Sequence, residues 1–147
     1  MEILRVEHLS KVYGKGDNCV KALDDISFSV EKGDFVSIIG PSGSGKSTLL
    51  HILGGVDKPT SGKVFMNGQD VYAGSDDQLA VFRRREVGLI YQFYNLIPTL
   101  TIRKNILLPV LLDGRRPDRE RFDQIVTTLG LTDRLEHLPG ELSGGQQ

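Results

Sequence analysis

Gly40-Pro41-Ser42-Gly43-Ser44-Gly45-Lys46-Ser47-Thr48 carries the spacing of a phosphate-binding loop: Gly, four residues, Gly, Lys, then Ser or Thr. The apolar run Phe35-Val36-Ser37-Ile38-Ile39 before it reads as a strand. After it, Leu49, Leu50, Ile52 and Leu53 fall at helical spacing from Lys46 onward. This strand, loop and helix order is the context such a loop needs. Glycines let several backbone N–H groups converge on one anion, and a helix N-terminus adds partial positive charge. Lys46 is then expected to reach the β and γ phosphates of a nucleoside triphosphate, and Ser47 to offer its hydroxyl to Mg²⁺. Residues 40–48 therefore predict an α/β fold built around a P-loop nucleotide site.

Working outward, 147 residues is the length of one ordinary domain, enough to bury a real core. The net charge of -1, from 18 basic and 19 acidic residues, gives no support for nucleic acid or an anionic membrane as a bulk electrostatic partner. Arg83-Arg84-Arg85 and Arg115-Arg116 are local basic runs with acids nearby, as on a solvated helix or loop face. Cys19 is the only cysteine, which excludes an internal disulfide and fits a reducing compartment. Met1-Glu2-Ile3-Leu4-Arg5 lacks the layout of a signal peptide, and the longest apolar run, residues 106–112, falls far short of the roughly twenty residues of a membrane helix. The expected setting is cytoplasmic, with membrane contact only through a partner.

Upstream of the loop, residues 3–9, 11–13, 20–23 and 26–30 read as short strands of an antiparallel sheet with one wet face. Residues 35–39, apolar throughout, are expected to form a central strand covered on both faces. Downstream, Gly54-Gly55 stops the helix, and residues 63–66 and 69–71 flank an Asn67-Gly68 hairpin turn. Ser75-Asp76-Asp77-Gln78 has the form of a capping box opening a helix to about Glu86. Val87-Gly88-Leu89-Ile90-Tyr91 reads as a second apolar strand ending at Gln92. Residues 101–112 and 118–129 have helical periodicity, interrupted by Gly114 and Pro117. The expected organisation is a β subdomain with P-loop core over about residues 1–92 and a helical subdomain over about 93–147.

A phosphate loop alone leaves kinases, GTPases, helicases and transporters open. Leu142-Ser143-Gly144-Gly145-Gln146 narrows the choice, because it resembles the signature sequence of the ATP-binding cassette (ABC) family, and the chain resembles that family along its whole length. Two further landmarks occur in the family's order: Gln92 resembles the Q-loop glutamine, and Tyr13 in Lys11-Val12-Tyr13-Gly14 resembles the aromatic that stacks on adenine. The resemblance implies ATP and Mg²⁺ as cofactors. It implies ATP contacts from Tyr13, Gly40, Ser42, Gly43, Ser44, Gly45, Lys46, Ser47, Thr48 and Gln92, and from Ser143, Gly144, Gly145 and Gln146. Mg²⁺ would be held by Ser47 and Gln92, and Lys46 and Gln92 would be the catalytic pair. It implies two partners: a second ATPase subunit in a head-to-tail dimer, whose signature covers this loop's ATP, and a transmembrane permease. Each landmark also has a physical rationale. The signature glycines expose N–H groups, Ser143 and Gln146 have the spacing of a capping box, an uncharged amide suits Mg²⁺ or water, and a tyrosine ring can stack on a base or pack on its own sheet.

Within the family, Tyr91-Gln92-Phe93-Tyr94-Asn95-Leu96-Ile97-Pro98 and Asn105-Ile106-Leu107-Leu108-Pro109 look like the branch of macrolide exporters, lipoprotein-release ATPases and peptide-antibiotic exporters. Residues 93–98 would there face a coupling helix of the permease, or else pack as core. The family's metal-binding Asp, the Glu beside it and the switch His lie beyond the signature and have no counterpart up to Gln147. Asp113, which ends the apolar run Val110-Leu111-Leu112, is in a helix-like segment and is no substitute, and His8, His51 and His137 do not fit the switch position. The 147-residue chain is thus expected to bind ATP at best and to be inactive or nearly so in hydrolysis, with apolar surface and a strand edge left open. Competing expectations are a soluble, non-transport member of the family, a fragment that binds an intact cassette, and a nucleoside monophosphate kinase sharing the loop.

Overall fold

The computed structural model describes residues 1–146. The chain divides into two compact units, Met1–Gly88 and Leu89–Gln147. The first holds a four-stranded antiparallel sheet in the order β2-β1-β3-β4, made of β1 (Glu2–Tyr13), β2 (Val20–Glu31), β3 (Ser61–Met66) and β4 (Gln69–Asp70). It also holds helices α1 (Lys46–Leu53) and α2 (Asp76–Arg85).

β1 and β2 run twelve residues each, longer than their sequence suggests, because bulges join the segments that looked separate. One bulge is at His8 (φ 48) and another at Asp25 (φ 50). The two are sewn together: His8 N donates to Ser27 Oγ at 2.9 Å, Asp25 N donates to Ser10 Oγ at 2.9 Å, and His8 Nδ1 lies 2.7 Å from Asp25 Oδ1. The register slip between Val6 and Leu9 lets both point to one face although they are three apart. That face is the core. Val6, Leu9, Leu23 and Val64 close on Leu49 and Ile52 of α1, Val71, and Leu79 of α2. Leu9 and Ile52 are completely buried, and removing such a side chain to Ala costs about 2–5 kcal/mol.

The hairpin β3–β4 turns at Asn67 (φ 50) and Gly68 (φ 78), two successive positive φ values that the right-handed strand twist favours. α2 opens with the capping box expected from sequence: Ser75 Oγ accepts from Gln78 N, and Gln78 Oε1 accepts from Ser75 N at 2.8 Å. Its last turn carries Arg83, Arg84 and Arg85, where cations complement the helix dipole. Arg83 also donates to the carbonyl oxygen of Gly55 at 2.8 Å.

Two expected strands are corrected. Residues 35–39 and 87–91 have no strand structure, and Phe35, Ile39 and Ile90 are 98%, 88% and 93% exposed. The reason is pairing. An apolar run becomes a strand only beside a hydrogen-bonding neighbour, and no described segment pairs with either run. β1 and β2, by contrast, meet through the short connection at residues 14–19.

The second unit is helical. α3 (Ile102–Leu112) is capped by Thr101, whose Oγ1 accepts from Lys104 N at 3.3 Å, and α4 (Arg119–Thr128) by Asp118, whose Oδ1 accepts from Arg121 N at 3.0 Å. Ile102, Val126, Leu131, Leu135 and Leu142 form its core, with Leu96 and Phe122 against it. Asp113 caps the end of α3 and pairs with Arg115 at 2.7 Å, so it ends a helix and not a strand.

Candidate functional site

The loop at residues 40–48 sits where β2 supports the start of α1. Leu49 and Ile52 bury the inner side of α1, which makes the helix a fixed base for the loop. Ser44 N donates to the Pro41 carbonyl at 3.3 Å and closes a turn inside the loop. Gly45, in the left-handed region (φ 86), is the N-cap of α1 and makes no side-chain cap bond. No side chain therefore competes for the first-turn amides, which are free to meet an anion. Lys46 places its ammonium in the same loop, donating to the Pro41 carbonyl at 2.6 Å and to Ser44 Oγ at 3.3 Å. Ser42, Gly43, Ser44 and Ser47 are exposed around it, and Gly45, Lys46 and Thr48 are half-buried. Converging amides and one cation suit a polyphosphate.

Tyr13 ends β1 and is 42% exposed, so it is not a sheet-packed aromatic. Its hydroxyl donates to Asp57 Oδ2 at 2.6 Å. Lys11, two residues back on the same strand face, donates to Asp57 Oδ1 and to the Lys58 carbonyl, both at 2.6 Å. The Lys11 ammonium also lies 4.8 Å from the centroid of the Tyr13 ring. The carboxylate of Asp57, a hydrogen-bond acceptor for Tyr13, raises the phenol's pKa, burial adds to the rise, and the Thr48 hydroxyl opposes it. Burial pushes the Asp57 pKa up, but the bonds from Lys11 and Tyr13 outweigh it and hold the carboxyl below its usual range. Tyr72 donates to the Asp57 carbonyl at 2.8 Å and to the Ile52 carbonyl, which fixes the backbone beneath the carboxylate. Sequence reasoning found Tyr13 and missed Lys11, Asp57 and Tyr72. The one local signal was the Lys-x-Tyr spacing.

In the second unit, Gln92 is exposed in the irregular segment after residue 91. Asn105 pins the chain that follows: Oδ1 accepts from Ile97 N at 2.8 Å, and Nδ2 donates to the carbonyls of Ile97, Leu100 and Thr101 at 3.0–3.1 Å. The sequence marks Asn105 only as the first residue of a branch-like stretch and gives it no structural role. Leu142 is buried and anchors the stretch 143–146, which it leaves exposed. Ser143 and Gln146 form one turn, Gln146 N donating to the Ser143 carbonyl at 2.9 Å. Only half of the expected capping box is present: Gln146 Oε1 accepts from Ser143 N at 3.1 Å, while the Ser143 hydroxyl donates to that same oxygen at 3.1 Å. A Cβ on Gly144 would stand 3.6 Å from the Tyr94 hydroxyl.

The first unit thus brings Tyr13 together with residues 40–48, and the second carries Gln92 and residues 143–146. Taken separately, the Ser47 hydroxyl of the first unit and the Gln92 amide oxygen of the second are each hard oxygen donors of the kind Mg²⁺ takes alongside phosphate and water. Among the described residues no group of three or more His, Cys, Asp or Glu is placed to hold a metal ion. No helix among them is long and apolar enough to cross a membrane.

Comparison with known proteins agrees with this chemistry. A family model described as ABC transporter matches residues 23–147. The chain is 48% identical over 148 residues to the lipoprotein-releasing system ATP-binding protein LolD of Aquifex aeolicus, covering 99% of this chain and 64% of that one. It is 45% identical over 147 residues to the macrolide export ATP-binding/permease protein MacB of Vibrio parahaemolyticus, covering 99% and 22%. The chain therefore spans less than two thirds of the length of these relatives. Among solved structures, a dimeric ATP-binding cassette in a post-hydrolysis state, bound to ADP and Pi, superposes with a TM-score of 0.87 at 37% identity, over 98% of this chain and 65% of that one.

Proposed function

The chain belongs to the ABC transporter family, and from that premise we propose that it forms the ATP-binding part of a transport ATPase that couples nucleotide binding and hydrolysis to movement in a membrane partner. The observation that carries this reading is the uncapped start of α1 at Gly45 with the Lys46 ammonium folded into the loop before it. In this reading the first-turn amides and Lys46 would bind the β and γ phosphates, Ser47 would offer its hydroxyl to the metal, and Tyr13 would take the adenine ring; Gln92 keeps the Q-loop role that the family resemblance implies. Mg²⁺, when bound, would supply charge neutralisation to the phosphates. Lys46 must leave the Pro41 carbonyl to reach the phosphates, exchanging a neutral acceptor for a charged one, which favours the move.

The exposed turn at residues 143–146, whose Ser143 and Gln146 amides bond within the turn, presents Gly144 and Gly145 at the surface. In this reading it closes on the nucleotide of a second cassette, which the dimeric state of the ADP-bound relative supports. The joint ATP-binding/permease naming of MacB supports a permease as membrane partner, and with it a location at the inner face of the membrane. The likeness to LolD and MacB supports the exporter and lipoprotein-release branch, and leaves a kinase or a soluble family member without a comparable observation.

A thermal-melting series tests the binding claim. Saturating Mg-ATP raises the midpoint, in proportion to about 2.7 kcal/mol at a hundredfold excess over Kd, and AMP does not. An unchanged midpoint at millimolar Mg-ATP would contradict the reading.

A further inference from the structure

The Lys11, Asp57 and Tyr13 side chains form a closed polar cluster that no phosphate or metal contact requires. Both carboxylate oxygens of Asp57 are engaged, one by the Tyr13 hydroxyl and one by the Lys11 ammonium, each at 2.6 Å. The carboxylate itself is held from below. Its backbone carbonyl accepts from Tyr72 at 2.8 Å, and its N–H donates to the His51 carbonyl at 3.2 Å. Lys11 is held by a second acceptor, the Lys58 carbonyl, and its side chain is only 12% exposed. The ring of Tyr13 is consequently restrained three ways: by the strand, through its hydroxyl, and by a cation 4.8 Å from its centroid.

The location gives this restraint a purpose. Asp57 follows the C-terminal end of α1, and Lys46 to Thr48 form its first turn, so α1 is the common mount for the phosphate loop and for the group that grips Tyr13. A nucleotide must satisfy both ends at once. Fixing the ring relative to α1 fixes the distance between a stacked base and its phosphates before binding, and this removes ordering cost from the binding step.

We propose that Asp57 is the positioning residue of the base site: it locks the Tyr13 ring and the Lys11 ammonium into one platform, so that an aromatic base is recognised in register with the phosphate loop. This rests on the reading of Tyr13 as the adenine platform. Asp57 touches no nucleotide. Its effect reaches the ligand through Tyr13, so it acts on ligands that carry a base and not on bare phosphates.

The test compares Mg-ATP with inorganic tripolyphosphate, which has the phosphates without base or ribose, in equilibrium titrations of the 147-residue chain. Asp57→Asn and Tyr13→Phe each lower ATP affinity roughly five- to tenfold, the size of one charged hydrogen bond, and leave tripolyphosphate affinity within about twofold. The double variant is no weaker than Asp57→Asn alone, because Asp57→Asn already removes the charged acceptor that Tyr13→Phe stops using. If Asp57→Asn does not fold, as judged by its melting curve, Tyr13→Phe decides alone. Equal losses for ATP and tripolyphosphate overturn the proposal in favour of a general structural role. Tyr13→Ala separates the two readings. If it weakens ATP while Asp57→Asn and Tyr13→Phe do not, the positioning role falls and the platform stands; if it leaves ATP unchanged, both fall.

Discussion

Gly45 packs against Leu23 so closely that a Cβ on the glycine would stand 2.9 Å from Leu23 Cδ2 and closer still to the Ala22 carbonyl oxygen. The phosphate loop is thereby moored to β2 at the residue where α1 begins. Gly45 is also left-handed, at φ 86. Gly43 is left-handed too, at φ 79, but nothing lies within 4 Å of its Cβ position. Gly45→Ala therefore carries a backbone clash on top of the conformational cost of about 1–2 kcal/mol that Gly43→Ala also carries. Urea unfolding of the two variants should show Gly45→Ala destabilised by about 2–4 kcal/mol, and more than Gly43→Ala. Equal midpoints would show that the loop is not moored there.

The Asp57 cluster gives the stability a defined pH dependence. The folded pKa of Asp57 lies below its ordinary 3.8, so its contribution is complete above that value and is lost as pH falls through the folded pKa. Burial holds Tyr72 well above its ordinary 10.0, helped by the nearby Asp57 charge, and Tyr13 is raised as well. Their contribution is complete below pH 10.0 and is lost as pH rises from there through the folded values. Chemical denaturation across pH should show an acid decline that Asp57→Asn flattens and an alkaline decline that Tyr72→Phe flattens. An alkaline limb unaltered by Tyr72→Phe would contradict the assignment.

The apolar runs at residues 35–39 and 87–91 present Phe35, Ile39 and Ile90 to solvent. Exposed apolar clusters of this kind bind hydrophobic dyes and associate. An anilinonaphthalene sulfonate titration should show strong fluorescence enhancement by the chain, falling by roughly half in a Phe35→Ser, Ile39→Ser double variant. Fluorescence indifferent to these substitutions would place the apolar surface elsewhere.

Much of this molecule is legible in its sequence where the determining contacts are local. The Ser75 to Gln78 box, the Asn67-Gly68 turn and the helix from Lys46 to Leu53 are each specified within about ten residues and each forms as read, whereas the strand expected before the loop does not. What escaped reading depends on partners far along the chain. Lys11 and Asp57 are 46 positions apart, and only the Lys-x-Tyr spacing hints at the first of them. The break between residues 9 and 11 looked like a strand end, because a bulge and a terminus leave the same mark in an alternating pattern. Residues 35–39 have the composition of a buried strand, but composition states only a preference for burial, and pairing requires a neighbour.

The central claim is that the loop at residues 40–48 binds the phosphates of ATP through Lys46 and the first turn of α1. Isothermal titration of the chain with Mg-ATP tests it most directly, alongside Lys46→Ala. The account predicts saturable binding at one site, weakened at least about tenfold by the substitution because a charge-assisted hydrogen bond is lost. Among the described residues the Lys46 ammonium bonds within its own loop, to the Pro41 carbonyl and Ser44 Oγ, so the variant keeps its fold and melting midpoint. Equal ATP affinity in the two proteins, or no saturable heat in the unaltered chain, would contradict the account.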